Sequence, residues 1–146
     1  MRAEMNRSRG VPERVPVEVP TGFGQRVMVV DDEPVLVAVA EEMLVKLGYE
    51  PVGFKSSVSA LAAFSAAPQR FDAVLTDETM PDLTGTELAQ GLRELRPDIP
   101  IVLMSGLAGS QLTKRATAVG VTEILRKPLL HGELAESLER ALLRQA

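Results

Sequence analysis

The feature that most constrains the fold is an alternation between short runs of β-forming residues and longer segments with helical periodicity. Strands alternating with helices at this spacing form βαβ units, so the pattern predicts a parallel sheet. The carboxyl ends of parallel strands meet at one edge, so polar groups that follow the runs are expected to lie together. Four runs are followed in this way: Arg26 to Val30 by Asp31-Asp32-Glu33, Asp72 to Thr76 by Asp77, Ile101 to Met104 by Ser105-Gly106, and Thr122 to Arg126 by Lys127-Pro128.

The segments between the runs have the features of helices. Pro34 stands where the first turn of a helix tolerates proline, and the apolar stripe that follows ends at Gly48. After a second strand at about Glu50 to Phe54, either Ser56 or Ser57 is expected to cap the next helix. Three further helices are predicted, over Thr84 to Leu95, Ser110 to Val119 and Gly132 to Leu143.

Right-handed crossovers leave few ways to wind such a chain. We predict an α/β fold of the flavodoxin-like type, with a doubly wound, five-stranded parallel sheet in the order 2-1-3-4-5. In that order strands 1 and 3 are neighbours whose helices leave to opposite faces, which opens a crevice at their carboxyl ends. Asp31, Asp32 and Asp77 are expected to meet in this crevice.

The chain divides near Gly24. Before it, Pro12, Pro16 and Pro20 interrupt a stretch whose charges nearly cancel. Such a composition predicts that residues 1–25 form a flexible, Pro-rich arm or linker and that residues 26–146 form one folded domain. Alternating valines leave a second option, in which part of the arm docks as an edge strand.

Composition excludes several functional classes. Cysteine is absent, which rules out disulfides and thiolate metal sites and fits a cytoplasmic protein. The formal net charge of -4 argues against direct nucleic-acid binding, for which a basic face is expected. No apolar run approaches the roughly 18 residues that a membrane span requires. We therefore expect no membrane contact by this chain.

Over about residues 25 to 144 the chain resembles the receiver domain of two-component response regulators. Five motifs in order carry the resemblance, each placed at the end of a strand or in the turn after it. They are Asp31-Asp32, Asp77-Glu78-Thr79-Met80-Pro81, Gly85, Ser105 and Lys127-Pro128. The resemblance implies that Asp77 accepts a phosphoryl group from a histidine kinase or a histidine phosphotransfer protein and that Mg²⁺ is required.

Each of these residues has a role that chemistry supports. An aspartate such as Asp77 can act as a nucleophile and form an acyl phosphate. Mg²⁺ prefers oxygen ligands and retains several waters, so Asp32 and Asp77 suffice as direct carboxylate ligands. The resemblance implies that Asp31 acts through bound water and that the backbone carbonyl of Thr79 is a further ligand. Lys127 is expected to contact the phosphoryl oxygens.

The hydroxyl of Ser105 is likewise expected to reach the phosphoryl group and to report phosphorylation to strand 4 and helix 4. Two departures from the family pattern bear on this response. Ile124 occupies the position three residues before the lysine, where the family often has an aromatic side chain, and Gly106 stands where alanine is more frequent. A tyrosine-type rotamer switch is therefore not expected, and the glycines after Ser105 offer another route for conformational change.

Two other functions use related residues. A haloacid-dehalogenase-like phosphatase also combines an aspartate nucleophile, Mg²⁺, a lysine and a hydroxyl, but it places the acidic pair late, and Asp77-Glu78-Thr79 lacks the second aspartate of its D-x-D motif. A pseudo-receiver would act purely as an interaction module. The favoured interpretation is a signalling domain that catalyses its own phosphorylation and dephosphorylation.

The resemblance also predicts partners. A homodimer through helix 4, strand 5 and helix 5 is possible, because the family usually binds or dimerises there. Only three residues follow the last predicted helix, so we expect either a stand-alone receiver or a receiver from a larger protein. The Pro-rich arm resembles the linkers that precede C-terminal receivers in hybrid histidine kinases, and we favour that origin.

Overall fold

The computed structural model describes residues 18–106 and 109–144. Its centre is a sheet of five parallel strands: β1 (Arg26–Val30), β2 (Glu50–Phe54), β3 (Ala73–Asp77), β4 (Ile101–Ser105) and β5 (Glu123–Arg126). Their spatial order is β2-β1-β3-β4-β5. This confirms the predicted doubly wound sheet with the order 2-1-3-4-5.

Five helices connect and cover the strands. They are α1 (Pro34–Lys46), α2 (Ser57–Ala66), α3 (Gly85–Leu95), α4 (Ser110–Ala118) and α5 (His131–Leu143), with a 3₁₀ turn at Pro68–Arg70. Helices α1 and α5 pack on one face of the sheet, and α2, α3 and α4 pack on the other. Both faces of the sheet are therefore covered, as parallel sheets require.

The uninterrupted apolar sequence of β1 follows from this double covering. Successive side chains of a strand point to opposite faces. Val27 and Val29 accordingly belong to the core under α1 and α5, whereas Met28 and Val30 belong to the core under α2 and α3. All four side chains are fully buried. The strand thus contributes to two hydrophobic cores at once.

Local signals fix the helix ends that position the site. The hydroxyl of Ser56 caps α2 by accepting a hydrogen bond from the backbone N–H of Ser59. Thr84 and Glu87 form a reciprocal capping box at the start of α3, which satisfies two of the free N–H groups there. The capping box therefore fixes the residue at which the turn after β3 ends and α3 begins.

Two of the strands extend one residue further than the sequence predicts, to Asp77 and Ser105. The reason is that pairing continues past the apolar run. The N–H of Glu78 donates to the carbonyl of Met104 at 2.9 Å, and the N–H of Lys127 donates to the carbonyl of Ser105 at 2.9 Å. The positions of Asp77 and Ser105 are therefore fixed by backbone pairing within the sheet.

The segment from residue 18 to residue 24 lies against the folded domain. Val19 packs on the core beneath α1 and α5, and the N–H of Gly22 donates to the carbonyl of Leu47 at 2.7 Å. The segment has no strand structure. The rest of the predicted arm, residues 1–17, lies outside the described residues. Within the described ranges, no helix combines the length and the apolar character that a membrane crossing requires.

Candidate functional site

The carboxyl edge of the sheet brings together the charged groups that the sequence predicts. The ammonium of Lys127, after β5, lies 3.1 Å from Oδ2 of Asp31 and 3.0 Å from Oδ1 of Asp77. Asp31 follows β1 and Asp77 ends β3, so one lysine connects the ends of three strands. The peptide bond between Lys127 and Pro128 is cis.

Asp31 and Asp77 are almost completely buried, with 1% and 5% of their surface exposed. Oδ1 of Asp31 accepts a hydrogen bond of 3.0 Å from the N–H of Glu33, while its other oxygen contacts Lys127. The turn into α1 therefore holds this carboxylate in a fixed orientation.

Asp31, Asp32 and Asp77 form a cluster that fits a hard divalent cation. Each offers a carboxylate oxygen, and these atoms all lie within 4.8 Å of one another. Two oxygens on opposite sides of an octahedral Mg²⁺ are about 4.2 Å apart, twice the usual bond length. The donor set has the chemistry and nearly the spacing that Mg²⁺ requires.

Two buried carboxylates, those of Asp31 and Asp77, share the ammonium of Lys127. Burial raises the pKa of Asp77; Lys127 opposes this rise, and the charge of Asp31 adds to it. Burial lowers the pKa of Lys127, but its hydrogen bonds and charge interactions with Asp77 and Asp31 outweigh burial and raise it overall. Lys127 is therefore firmly protonated, whereas Asp77 shares that one ammonium with a second carboxylate.

Ser105 and Thr79 lie next to this charged centre. They line a small cavity of about 180 Å³ between the β3–α3 turn and α4. Ser105 is 2% exposed, whereas Thr79 is exposed. The backbone at Gly85 comes so close to Asp77 that a Cβ atom there would overlap the carbonyl oxygen of Asp77. The glycine of the motif thus permits the tight turn after the aspartate.

Sequence reasoning missed two residues of this region. Glu78 is buried beside Asp77 and accepts a hydrogen bond of 2.8 Å from the N–H of Thr86. Arg115, on α4, lies 3.4 Å from the same carboxylate. Glu78 could have been suspected because it stands inside the aspartate motif. No local signal marks Arg115, because its partner is 37 positions away in the sequence.

Comparison with known proteins identifies the family. The model of the response regulator receiver domain matches residues 27–139. The two-component response regulator ORR21 of rice is 31% identical over 118 residues, which are 81% of this chain and 17% of that protein. The chain thus spans about a fifth or less of the length of the rice relatives it matches.

Solved structures agree with this assignment. A response regulator receiver domain protein from Clostridium thermocellum has a TM-score of 0.78 and 26% identity, covering 83% of this chain and 96% of that one. The receiver domain of a sensor histidine kinase from Pseudomonas aeruginosa has a TM-score of 0.73 and 29% identity, covering 82% and 98%. That structure has a magnesium ion coordinated in its active site cleft. Fold, site and comparisons together establish that this chain belongs to the response regulator receiver domain family.

Proposed function

We propose that Asp77 is the phosphoacceptor and that Asp31, Asp32, Asp77 and the backbone carbonyl of Thr79 hold Mg²⁺. The observation that carries this proposal is the position of Lys127, whose ammonium contacts Asp31 and Asp77 at 3.1 and 3.0 Å. A lysine at this point can stabilise negative charge beside the carboxylate of Asp77. Bound Mg²⁺ would supply further positive charge to the phosphoryl oxygens and would neutralise the clustered carboxylates.

The transfer step follows from these groups. An oxygen of Asp77 attacks the phosphorus of a phosphohistidine, the new P–O bond forms, and the P–N bond breaks with its electron pair going to the imidazole nitrogen. Lys127 moves its hydrogen bond from Asp77 to a phosphoryl oxygen, because esterification removes most of the charge from the carboxyl group. The hydroxyl of Ser105 donates to another phosphoryl oxygen.

The groups that promote transfer belong to the receiver itself. We therefore propose that the domain catalyses its own phosphorylation from phosphohistidine or from a small acyl phosphate, and that water later attacks the phosphorus to restore Asp77. The donor is a histidine kinase or a phosphotransfer protein. Because histidine kinases use ATP, the same proposal places the domain in the cytoplasm.

A direct test is incubation with acetyl phosphate and Mg²⁺ followed by intact-mass measurement. We expect a gain of one phosphoryl group in the wild type and no gain in Asp77→Asn. Asp82→Asn is a matched control, because Asp82 is an exposed aspartate of the same turn with a φ of 70°, a conformation that asparagine also adopts. The control should gain the phosphoryl group as the wild type does.

Other results would support the rival functions. Steady release of phosphate from varied esters would indicate a phosphatase, and no adduct from any donor would indicate a pseudo-receiver. A phosphoryl group that persists in Asp77→Asn would contradict the assignment of the acceptor.

The face formed by α4, β5 and α5 is our proposed site for partner binding or homodimerisation. Ile124 is 37% exposed there. Beside it, Glu133, Glu136 and Arg140 line a shallow groove, so both signs of charge are present for complementary pairing. Sedimentation of the wild type with and without acetyl phosphate tests dimerisation, and Ile124→Asp should abolish any dimer formed through this face.

We also propose that the domain derives from a hybrid histidine kinase, in keeping with the Pro-rich sequence before it. The similarity to a receiver of a sensor histidine kinase supports this origin. Reading the gene upstream of Met1 tests it, since a hybrid kinase requires kinase-coding sequence there.

A further inference from the structure

Helix α4 is held to the sheet by little apolar surface. Its buried residues are Leu112 and Ala116, which pack with Leu103 and the partly buried Val121 in the smallest of the three hydrophobic clusters among the described residues. No side chain caps the start of this helix at Gly109. Polar contacts at the edge of α4 therefore have a large share in fixing its position.

One such contact is the ion pair between Glu78 and Arg115. Glu78 is only 7% exposed, and Nη2 of Arg115 lies 3.4 Å from its Oε2. Thr86, at the start of α3, holds the carboxylate through its N–H at 2.8 Å and its hydroxyl at 3.3 Å. A carboxylate fixed on the β3–α3 side thus receives its cation from α4.

This ion pair is next to the proposed site of chemistry. Glu78 follows Asp77 directly in the chain, and Arg115 lines the same cavity as Ser105 and Thr79. Phosphorylation would replace the carboxylate charge of Asp77 by a phosphoryl group that carries about 1.5 to 2 negative charges and three strong acceptor oxygens beside this cavity. The guanidinium of Arg115 would then have a second anion competing with Glu78.

We propose that the ion pair between Glu78 and Arg115 is a latch that holds α4 against the β3–α3 turn until phosphorylation weakens it. The proposal rests on Asp77 being the phosphoacceptor. It gives this chain a route from the site to α4 that needs no aromatic residue at position 124. By thermodynamic reciprocity, a substitution that opens the latch should also favour the phosphorylated form.

Hydrogen exchange of the intact chain, followed by mass spectrometry of peptides that cover residues 110–118, measures how readily α4 opens when the ion pair is removed. We expect about threefold to tenfold faster exchange of α4 in unphosphorylated Arg115→Gln, the factor expected for a pair with one buried partner. Glu78→Gln should have the same effect, and the double variant should exchange no faster than either single variant. Phosphorylated wild type should approach the rate of Arg115→Gln.

Lys114→Gln is the matched control, because it removes the same charge from the adjacent, exposed residue of α4. Exchange of α4 in this variant should equal that of the wild type. Peptides from β1 and β3 should exchange alike in all variants, which separates local opening from a loss of global stability.

Three results would overturn the latch: equal α4 exchange in Arg115→Gln and Lys114→Gln, faster exchange throughout Arg115→Gln, or slower α4 exchange in the phosphorylated wild type. Intact mass reports separately whether phosphorylation occurred. If no phosphoryl group is gained, the proposed function fails, whereas the unphosphorylated variants still report on the ion pair.

Discussion

The two ends of the sheet differ in how their charged side chains are paired. At the carboxyl end, Lys127 is the cation that contacts the carboxylates of Asp31 and Asp77, and Asp32 lies beside them, among the residues that the structure describes. At the amino end, four arginines have matched acceptors. They are Arg93, Arg96, Arg140 and Arg144, and their partners include Asp98, Glu123 and several backbone carbonyls. A fifth, Arg26, contacts Glu50 through Nη2 at 3.4 Å, but its buried Nε has no hydrogen-bond partner among the described residues.

Arg96 shows how the amino end stabilises the fold. It is buried where α3 ends, donates to the carbonyls of Pro68 and Phe71, and lies 3.1 Å from Asp98. These bonds join the end of α3 to the segment before β3. A buried charge with this many partners has its desolvation cost offset.

At the carboxyl end neighbouring carboxylates repel one another, whereas at the amino end the carboxylates of Asp98 and Glu123 are paired with arginines. Clustered carboxylates disfavour ionisation unless a cation is near, and burial raises the pKa of Asp77 despite Lys127. Among the described residues, the carboxylates that crowd around one ammonium lie at the edge where a ligand and a phosphoryl group are expected. Six substitutions test the contrast between the two ends.

The largest effect is expected at Lys127. Lys127→Gln should lower the initial rate of phosphorylation by acetyl phosphate about 10²-fold to 10³-fold, the usual cost of losing one donor to a developing charge. The measurement is the intact-mass time course. Arg126→Gln, which removes an exposed neighbouring cation, should leave the rate unchanged. Equal rates in both variants would mean that Lys127 does not act on the phosphoryl group.

A smaller effect, on stability alone, is expected at Arg96. Arg96→Gln leaves buried carbonyls without donors and should lower the free energy of unfolding by about 2–3 kcal/mol. Urea denaturation measures the change, and phosphorylation by acetyl phosphate should persist.

The exposed Arg140 provides the comparison at the same end. Arg140→Gln should cost no more than about 1 kcal/mol, because about half of the Arg140 side chain is exposed and Arg144 still pairs with Glu123. Equal losses in the two arginine variants would contradict the role given to burial at the amino end.

The last effect, smaller than that expected at Arg96, concerns Mg²⁺. At ten times its dissociation constant, Mg²⁺ should stabilise the wild type by about 1.4 kcal/mol, seen as a rise of a few degrees in Tm over the chelated protein. Asp32→Asn should lose this rise, and its Tm in chelator should not fall below that of the wild type, because one repelling charge is gone.

Glu123→Gln, at the amino end, should keep the full response to Mg²⁺. A Tm that is the same in chelator and in millimolar Mg²⁺ for the wild type would show that the carboxylate cluster is not a metal site.

The sequence alone predicts the fold and the placement of the four strand-end groups. The strands follow from local patterns of β-forming residues, and parallel pairing brings their ends to one edge. The strand order does not follow from local patterns; it rests on the handedness of crossovers and on the resemblance to receiver domains. The strand ends shift by a residue at Asp77 and Ser105, because backbone pairing continues past the apolar run.

The contacts of Arg93, Arg96 and Arg115 could not be predicted from the sequence. Their partners are distant in sequence or are backbone carbonyls, and they depend on how each helix is rotated against the sheet. Nothing in the spacing of charges specifies that rotation, so the ion pair between Glu78 and Arg115 and the other arginine contacts are seen only in the folded structure.

The central claim, that Asp77 is the phosphoacceptor, is tested most directly by locating the phosphoryl group. Reduction of the acyl phosphate with borohydride converts the modified aspartate to homoserine, which peptide mass spectrometry assigns to a position. We expect homoserine at position 77 and unmodified aspartate at positions 31 and 32. Homoserine at position 31 or 32, with none at 77, would contradict the account.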